Sequence, residues 1–95
     1  MVIGIFGNTI IEGKQFLDNI IGKMMYKDVE SVCISKNYSG AVLTDGTIYR
    51  VLLPKDSSRG LKIDKAYVSK SVSVEFVKEI LPFLFNGDTD IEYFN

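Results

Sequence analysis

The fold is decided by residues 2–15, which read VIGIFGNTIIEGKQ. The apolar run 2–6 predicts a buried strand, and Gly7-Asn8 predicts the turn that ends it. Residues 14–26 then predict a helix, because six apolar side chains recur at a spacing that places them on one face. These six are Phe16, Leu17, Ile20, Ile21, Met24 and Met25. A buried strand followed by an amphipathic helix indicates an α/β domain.

A β-hairpin is predicted in the middle of the chain. Asp45-Gly46 separates two apolar runs, and this dipeptide is typical of the two-residue type I′ turn, in which both central residues have positive φ. Closure by such a turn would place Leu43 opposite Ile48 on the two strands.

The remaining segments complete the predicted order of elements. They are strands at 29–35 and 63–68, a second helix that ends near residue 84, and a final edge strand at 91–94. Ser71 or Ser73 is expected to cap the second helix. Its expected apolar face consists of Val74, Val77, Ile80, Leu81 and Leu84.

The sequence thus predicts a single α/β domain over residues 1–95, with a small mixed sheet of about five strands and two helices. Two helices can hardly cover both faces of such a sheet. We therefore expect a face or an edge to be left for water or for a protein partner, and a homodimer is one outcome.

The composition excludes several classes of enzyme. The 95 residues contain no histidine and one cysteine, Cys33. The chain alone therefore cannot build a Ser-His-Asp triad, a Cys-His pair or a His-ligated zinc site. The single cysteine fits a reducing compartment, and the chain shows neither a signal peptide nor a membrane-spanning stretch. We predict a cytoplasmic protein without a cofactor, in which Cys33 is a buried small hydrophobe.

The turn before the first helix offers a candidate phosphate site. A strand, a turn with Gly7, and then Gly13-Lys14 opening a helix are arranged as in a phosphate-binding P-loop, whose backbone N–H groups and lysine receive phosphate oxygens. The spacing between the glycines is one residue too long, and Gln15 stands where the motif has the Ser or Thr that binds Mg²⁺. The alternative is a strand-to-helix turn with Gly13 near the helix start and Lys14 solvated.

A second stretch carries a resemblance to a known family. The Asp45-Gly46 hairpin is followed by a polar loop that ends in Arg59-Gly60, and then by a short strand and a helix. This order resembles the core of P-loop ATPases of the phage terminase and helicase kind, over residues 2–84.

The resemblance implies an inactive relative, encoded by a phage or prophage. In that family the strand after the Arg-Gly loop ends in an acidic pair that organises Mg²⁺ and the attacking water. Ser69-Lys70 stands at these positions here and cannot replace carboxylates at a metal. Phosphoryl transfer depends on positioning and on charge stabilisation by the metal. We therefore expect no ATPase activity, with Gly13, Lys14 and Arg59 as the remaining candidate anion contacts.

Three functions are compatible with the sequence. We favour a non-enzymatic binding or regulatory protein that acts through protein–protein contact. A nucleotide- or phosphate-binding protein without efficient hydrolysis is the alternative. The third is a nucleic-acid-binding accessory protein, whose candidate contacts fall within 16 residues: Lys55, Arg59, Lys62, Lys65 and Lys70. The net charge of −1 and the absence of any basic run disfavour this third function.

Overall fold

The computed structural model describes residues 1–34, 39–53, 62–85, 87 and 90–94. They form one mixed sheet of six strands: β1 (Val2–Phe6), β2 (Val29–Ile34), β3 (Ser39–Leu43), β4 (Ile48–Leu52), β5 (Lys65–Ser69) and β6 (Ile91–Phe94). The strand order is β2-β3-β4-β1-β5-β6, in which β4, β1, β5 and β6 are parallel and β3 is antiparallel to both of its neighbours. The predicted small α/β domain with about five strands and two helices is confirmed.

The first helix, α1, spans Ile10–Gly22 and so begins and ends earlier than the predicted range 14–26. It begins here because the hydroxyl of Thr9 accepts the N–H of Glu12 at 3.2 Å, which satisfies one of the free donors of the first turn. Leu17 is completely buried on the face that meets the sheet, whereas Met25 lies beyond the helix and is 62% exposed.

One helical segment covers each face of the sheet. Helix α1 packs over Ile3, Ile5, Tyr49 and Val51 on one face. Phe6 and Val68 point to the other face, where they pack against a helical segment at 76–84. Because both faces receive a helical segment, the part of the sheet that stays open is an edge.

The segment at 76–84 is not a regular α-helix. It consists of a π-helical turn, Phe76–Ile80, and a 3₁₀ turn, Leu81–Leu84. Pro82 has no N–H and cannot continue an α-helical ladder, which explains the change of winding. The Ser73 hydroxyl accepts the Phe76 N–H at 3.3 Å, so of the two predicted caps it is Ser73 that bonds this segment. Val74, predicted on the apolar face, is 64% exposed, and Phe76 is buried instead.

The hairpin between β3 and β4 is present, but its predicted closure is wrong by one residue. The Leu43 N–H donates to the Thr47 carbonyl at 2.8 Å, and Val42 rather than Leu43 lies opposite Ile48. Only Gly46 has positive φ (93°) in this loop, so Asp45 keeps ordinary geometry and a three-residue loop results. The Asp45 carboxylate accepts the Thr47 N–H at 2.9 Å, which lowers the pKa of Asp45.

Within the described residues, no helix has the length and apolar character needed to cross a membrane.

Candidate functional site

The carboxyl ends of the parallel strands β1 and β5 lie side by side, and we refer to the space beyond them as the crevice. The chain leaves β1 into α1 on one face, and it leaves β5 towards the segment at 76–84 on the opposite face. In open α/β sheets this change of direction between neighbouring parallel strands marks the usual ligand site. The crevice is therefore the first place to look for a site, and the predicted phosphate contacts Gly13 and Lys14 lie beside it.

A hydrogen-bond network around Glu12 occupies this crevice. The Asn8 N–H donates to Glu12 Oε1 at 2.7 Å, and the Ser71 hydroxyl donates to the same oxygen at 3.0 Å. The hydroxyls of Ser69 and Ser71 lie 2.8 Å apart. The hydrogen bond from Asn8 is the main cause that lowers the pKa of Glu12, and the two serine hydroxyls add to it. An ionised carboxylate of the chain itself thus sits at the helix N-terminus, where a P-loop receives phosphate.

The glycines of the predicted phosphate loop serve close packing. Gly13 lies inside α1 and donates its N–H to the Thr9 carbonyl at 3.3 Å. A Cβ on Gly13 would lie 2.5 Å from Cγ1 of Val51, and a Cβ on Gly7 would lie 2.7 Å from the nitrogen of Gly13. Larger residues at these positions would separate α1 from β1 and β4.

Phosphate binding at Gly13 and Lys14 stays a prediction, and the geometry of the first turn is unfavourable to it. The Gly13 N–H is already bonded within the helix, and the Glu12 carboxylate would repel an incoming phosphate. Lys14, the next residue of the helix, is half-buried. The third predicted contact, Arg59, lies outside the described residues.

Three members of the predicted basic cluster lie among the described residues, and two of them contact other groups of the chain. Lys62 donates to the Phe83 carbonyl at 2.9 Å. Lys65 forms an ion pair with Glu92 at 3.5 Å, and Lys70 follows the opposite end of the same strand, about 16 Å away. Lys55 and Arg59 lie outside the described residues. Nucleic-acid binding by this set stays a prediction.

Lys65 is held by its neighbours rather than presented to solvent. Its ammonium lies 4.8 Å from the centre of the Tyr67 ring, and Tyr67 is the main cause that raises the pKa of Lys65. Its partner Glu92 lies on β6, one strand further out. These contacts tie β5 to β6 on the face that carries α1, which is a structural role.

The second candidate site is the free edge of the sheet, formed by β2. All residues from Glu30 to Ile34 are exposed, and the exposed fractions of Val32 and Ile34 are 45% and 49%. The predicted burial of Cys33 is therefore wrong: its thiol is free and exposed. Cys33 is exposed because α1 covers the centre of the sheet and does not reach this outer strand.

The backbone of β2 also faces outward at alternate residues. Leu43 of β3 bonds to β4, so alternation along β3 directs Val42 and Gly40 towards β2. Their partners on β2 are Ser31 and Cys33. The N–H and C=O groups of Val32 and Ile34, which lie between and beyond these partners, consequently point away from β3 towards the free edge.

An apolar groove adjoins this edge. It lies between the end of α1 and β2, has a volume of about 570 Å³, and is lined by Ile21, Met24, Tyr26 and Val32 among others. Tyr26 opens a short 3₁₀ turn, Tyr26–Asp28, and is 97% exposed. Exposed Tyr and Met side chains beside a groove are typical of protein interfaces. We refer to β2 together with Met25, Tyr26 and the groove as the β2 edge.

No family model, curated protein or solved structure matches the chain. A function is therefore proposed from the geometry of the two candidate sites alone. Among the described residues, no three His, Cys, Asp or Glu side chains lie close enough together to hold a metal ion.

Proposed function

We propose that this protein is a non-enzymatic binding module that acts through protein–protein contact at the β2 edge. One observation carries the proposal: Val32 and Ile34 present outward-facing backbone groups and exposed apolar side chains on the same strand. A partner strand added to such an edge gains affinity from backbone hydrogen bonds and specificity from side-chain contacts.

The free energy that the β2 edge can contribute to binding fits a reversible, regulatory contact. Each backbone hydrogen bond to an added strand contributes about 0.5–1.5 kcal/mol net, and burial of an exposed aliphatic side chain contributes about 1–2 kcal/mol. Val32 and Ile34 each supply outward-facing backbone groups and one exposed apolar side chain. The groove beside Tyr26 can accept a further apolar side chain. These terms add up to several kcal/mol, and only a small surplus is left after the cost of association, which gives a weak and reversible complex.

The crevice at β1 and β5 supports the non-enzymatic part of the proposal. Its carboxylate, Glu12, is engaged by Asn8 and Ser71 in fixing the first turn of α1. Gln15 and Lys70 stand where the resembled ATPases need metal-binding side chains. We further propose a cytoplasmic location, because a free exposed thiol persists best in a reducing compartment. Phage or prophage origin remains an implication of the resemblance.

Site-specific photo-crosslinking in the cells that express the protein tests this function. Ile34 is replaced by p-benzoylphenylalanine, and the matched control carries the same residue at Val74, which is exposed and follows β5, four strands away from β2 in the sheet. We expect adducts from position 34 that Val32→Lys abolishes, and none from position 74. Equal adducts at the two positions, or none at position 34, would refute the proposal.

A further inference from the structure

We propose, resting on the function proposed above, that the partner at the β2 edge is a second copy of this chain. The two β2 strands pair antiparallel about a twofold axis at Cys33, so that two six-stranded sheets become one continuous sheet. A twofold interface uses the same surface on both copies, and the antiparallel edge of β2 is complementary to itself in this way.

The outward-facing backbone groups select the register. A hydrogen-bonded pairing must place outward-facing residues opposite each other, which leaves few choices. Val32 opposite Val32 would set Ile34 against Glu30, an apolar side chain against a carboxylate. Ile34 opposite Ile34 would leave Val32 to pair beyond the end of β2. With Val32 opposite Ile34 of the second copy, both residues of each copy are paired within the strand, by about four hydrogen bonds.

The charge on β2 agrees with this register. Glu30 is the single charged residue of the strand. In the proposed pairing the two Glu30 residues lie six positions apart along the ribbon, about 20 Å. The carboxylates therefore do not face each other, and the net charge of −1 per chain adds little repulsion between copies.

The apolar surface that this register buries is small. Val32 and Ile34 expose together roughly 170 Å² per copy, whereas a standard interface buries roughly 800 Å² per partner. The pairing therefore rests mainly on the backbone hydrogen bonds of the strand edge, and we expect a weak dimer. Val32 and Ile34 form two cross-strand apolar pairs, one on each side of the axis.

The register also places the two copies of Cys33 opposite each other. Cys33 bonds through its backbone to β3, so in the new pair it occupies a position without hydrogen bonds, where opposing Cα atoms lie about 4.5 Å apart. This distance falls within the range of disulfides, roughly 4.4–6.8 Å. The single cysteine of the chain is thus a natural reporter of the pairing, although both thiols stay reduced in a reducing compartment.

Light scattering after size exclusion measures the dimer. We expect the wild-type chain, 10.7 kDa, to elute with twice that mass, and Val32→Lys to raise the dissociation constant about 100-fold, because two lysines would be buried at the pairing. Val74→Lys, the same change at an exposed valine away from β2, should leave the constant unchanged. A monomer at about 1 mM, or a dimer that tolerates Val32→Lys, would overturn the inference.

Oxidation with diamide tests the register. Diamide takes two electrons and two protons from a pair of thiols, which then form one disulfide. We expect rapid crosslinking of the wild-type chain and none of Cys33→Ser. The double variant Ser31→Cys with Cys33→Ser moves the thiol by two residues on the same face, which separates the opposing Cα atoms by about 14 Å. It should crosslink at least tenfold more slowly; an equal rate would exclude the proposed register.

The photo-crosslinking experiment distinguishes failure of the proposed dimer from failure of the proposed binding function. Photo-crosslinking at position 34 yields a covalent dimer of this chain if the inference is correct. An adduct of any other mass, together with a monomer in solution, would overturn the dimer and leave the binding function standing. No adduct at position 34 would overturn both.

Discussion

Replacement of Gly13 by alanine tests whether this glycine serves packing rather than ligand binding. The new Cβ would lie 2.5 Å from Cγ1 of Val51, closer than non-bonded carbon atoms approach, so α1 must shift away from β4. Overpacking of this kind costs about 1–3 kcal/mol, and the higher helix propensity of alanine returns about 1 kcal/mol. A contact of 2.5 Å places the cost in the upper part of this range, about 2–3 kcal/mol, so we expect the free energy of unfolding to fall by about 1–2 kcal/mol.

Urea unfolding followed by far-ultraviolet circular dichroism measures this change, because the chain has no tryptophan to report it by fluorescence. The slope for a chain of this size is about 1 kcal/mol per molar urea, so the midpoint should fall by about 1–2 M. Gly22→Ala is the matched control at the end of the same helix. A Cβ there meets nothing within 4 Å, and the variant should be as stable as wild type or more stable.

A double-mutant cycle with Val51→Ala identifies the clash. Val51→Ala alone should destabilise the protein by about 1–2 kcal/mol, since it removes buried methyl groups. In combination with Gly13→Ala it also removes the clashing atom, so the double variant should lose about 1 kcal/mol less than the sum of the two single variants. A fully additive cycle, or a Gly13→Ala variant as stable as wild type, would refute the close approach of α1 to β4.

Two further predictions concern local hydrogen bonds and turns. The folded-state pKa of Glu12 lies below its ordinary value of 4.5, so the ionised carboxylate stabilises the protein above about pH 4.5 and this contribution disappears as the pH falls through the folded pKa. The difference in unfolding free energy between wild type and Glu12→Gln should therefore shrink below pH 4.5, and a constant difference from pH 3 to 7 would contradict this account. Gly46→Ala should destabilise by about 1–2 kcal/mol in the same urea assay, because Gly46 has φ of 93°; an unchanged midpoint would show that the loop tolerates another closure.

The order of the elements could be predicted from the sequence because its signals are local. Hydrophobic periodicity revealed α1, the Asp45-Gly46 dipeptide revealed the hairpin, and the alternation of apolar runs with turn residues revealed the strands. The errors at element ends have local causes too. Thr9 and Glu12 have the spacing of a capping box, which marks the start of α1, but Gly13-Lys14 gave a competing signal for a later start.

The properties of β2 could not be predicted, because they depend on the pairing of distant segments. Cys33 lies in the run VESVCI, whose composition fits a central strand as well as an edge strand. Its exposure follows from the strand order, in which β2 is outermost, and from the position of α1 over the centre of the sheet. The contact between Glu12 and Ser71, 59 residues apart, was likewise beyond local signals.

The two edges of the sheet differ in a way that favours an occupied β2 edge. Natural proteins protect a free edge strand by keeping it short or by placing charges on it. The strand at the opposite edge, β6, has four residues, and Glu92 in its interior forms an ion pair with β5.

β2 has six residues, and its outward-facing positions carry Val32 and Ile34 rather than lysine or proline. The exposed carboxylate of Glu30 and a β-bulge after Val29 are the protective features of β2, and both lie before residues 31–34, which pair regularly. An unprotected edge of this kind exposes a protein to uncontrolled aggregation unless a defined partner pairs with it, and a twofold dimer removes the unprotected edge from both copies at once.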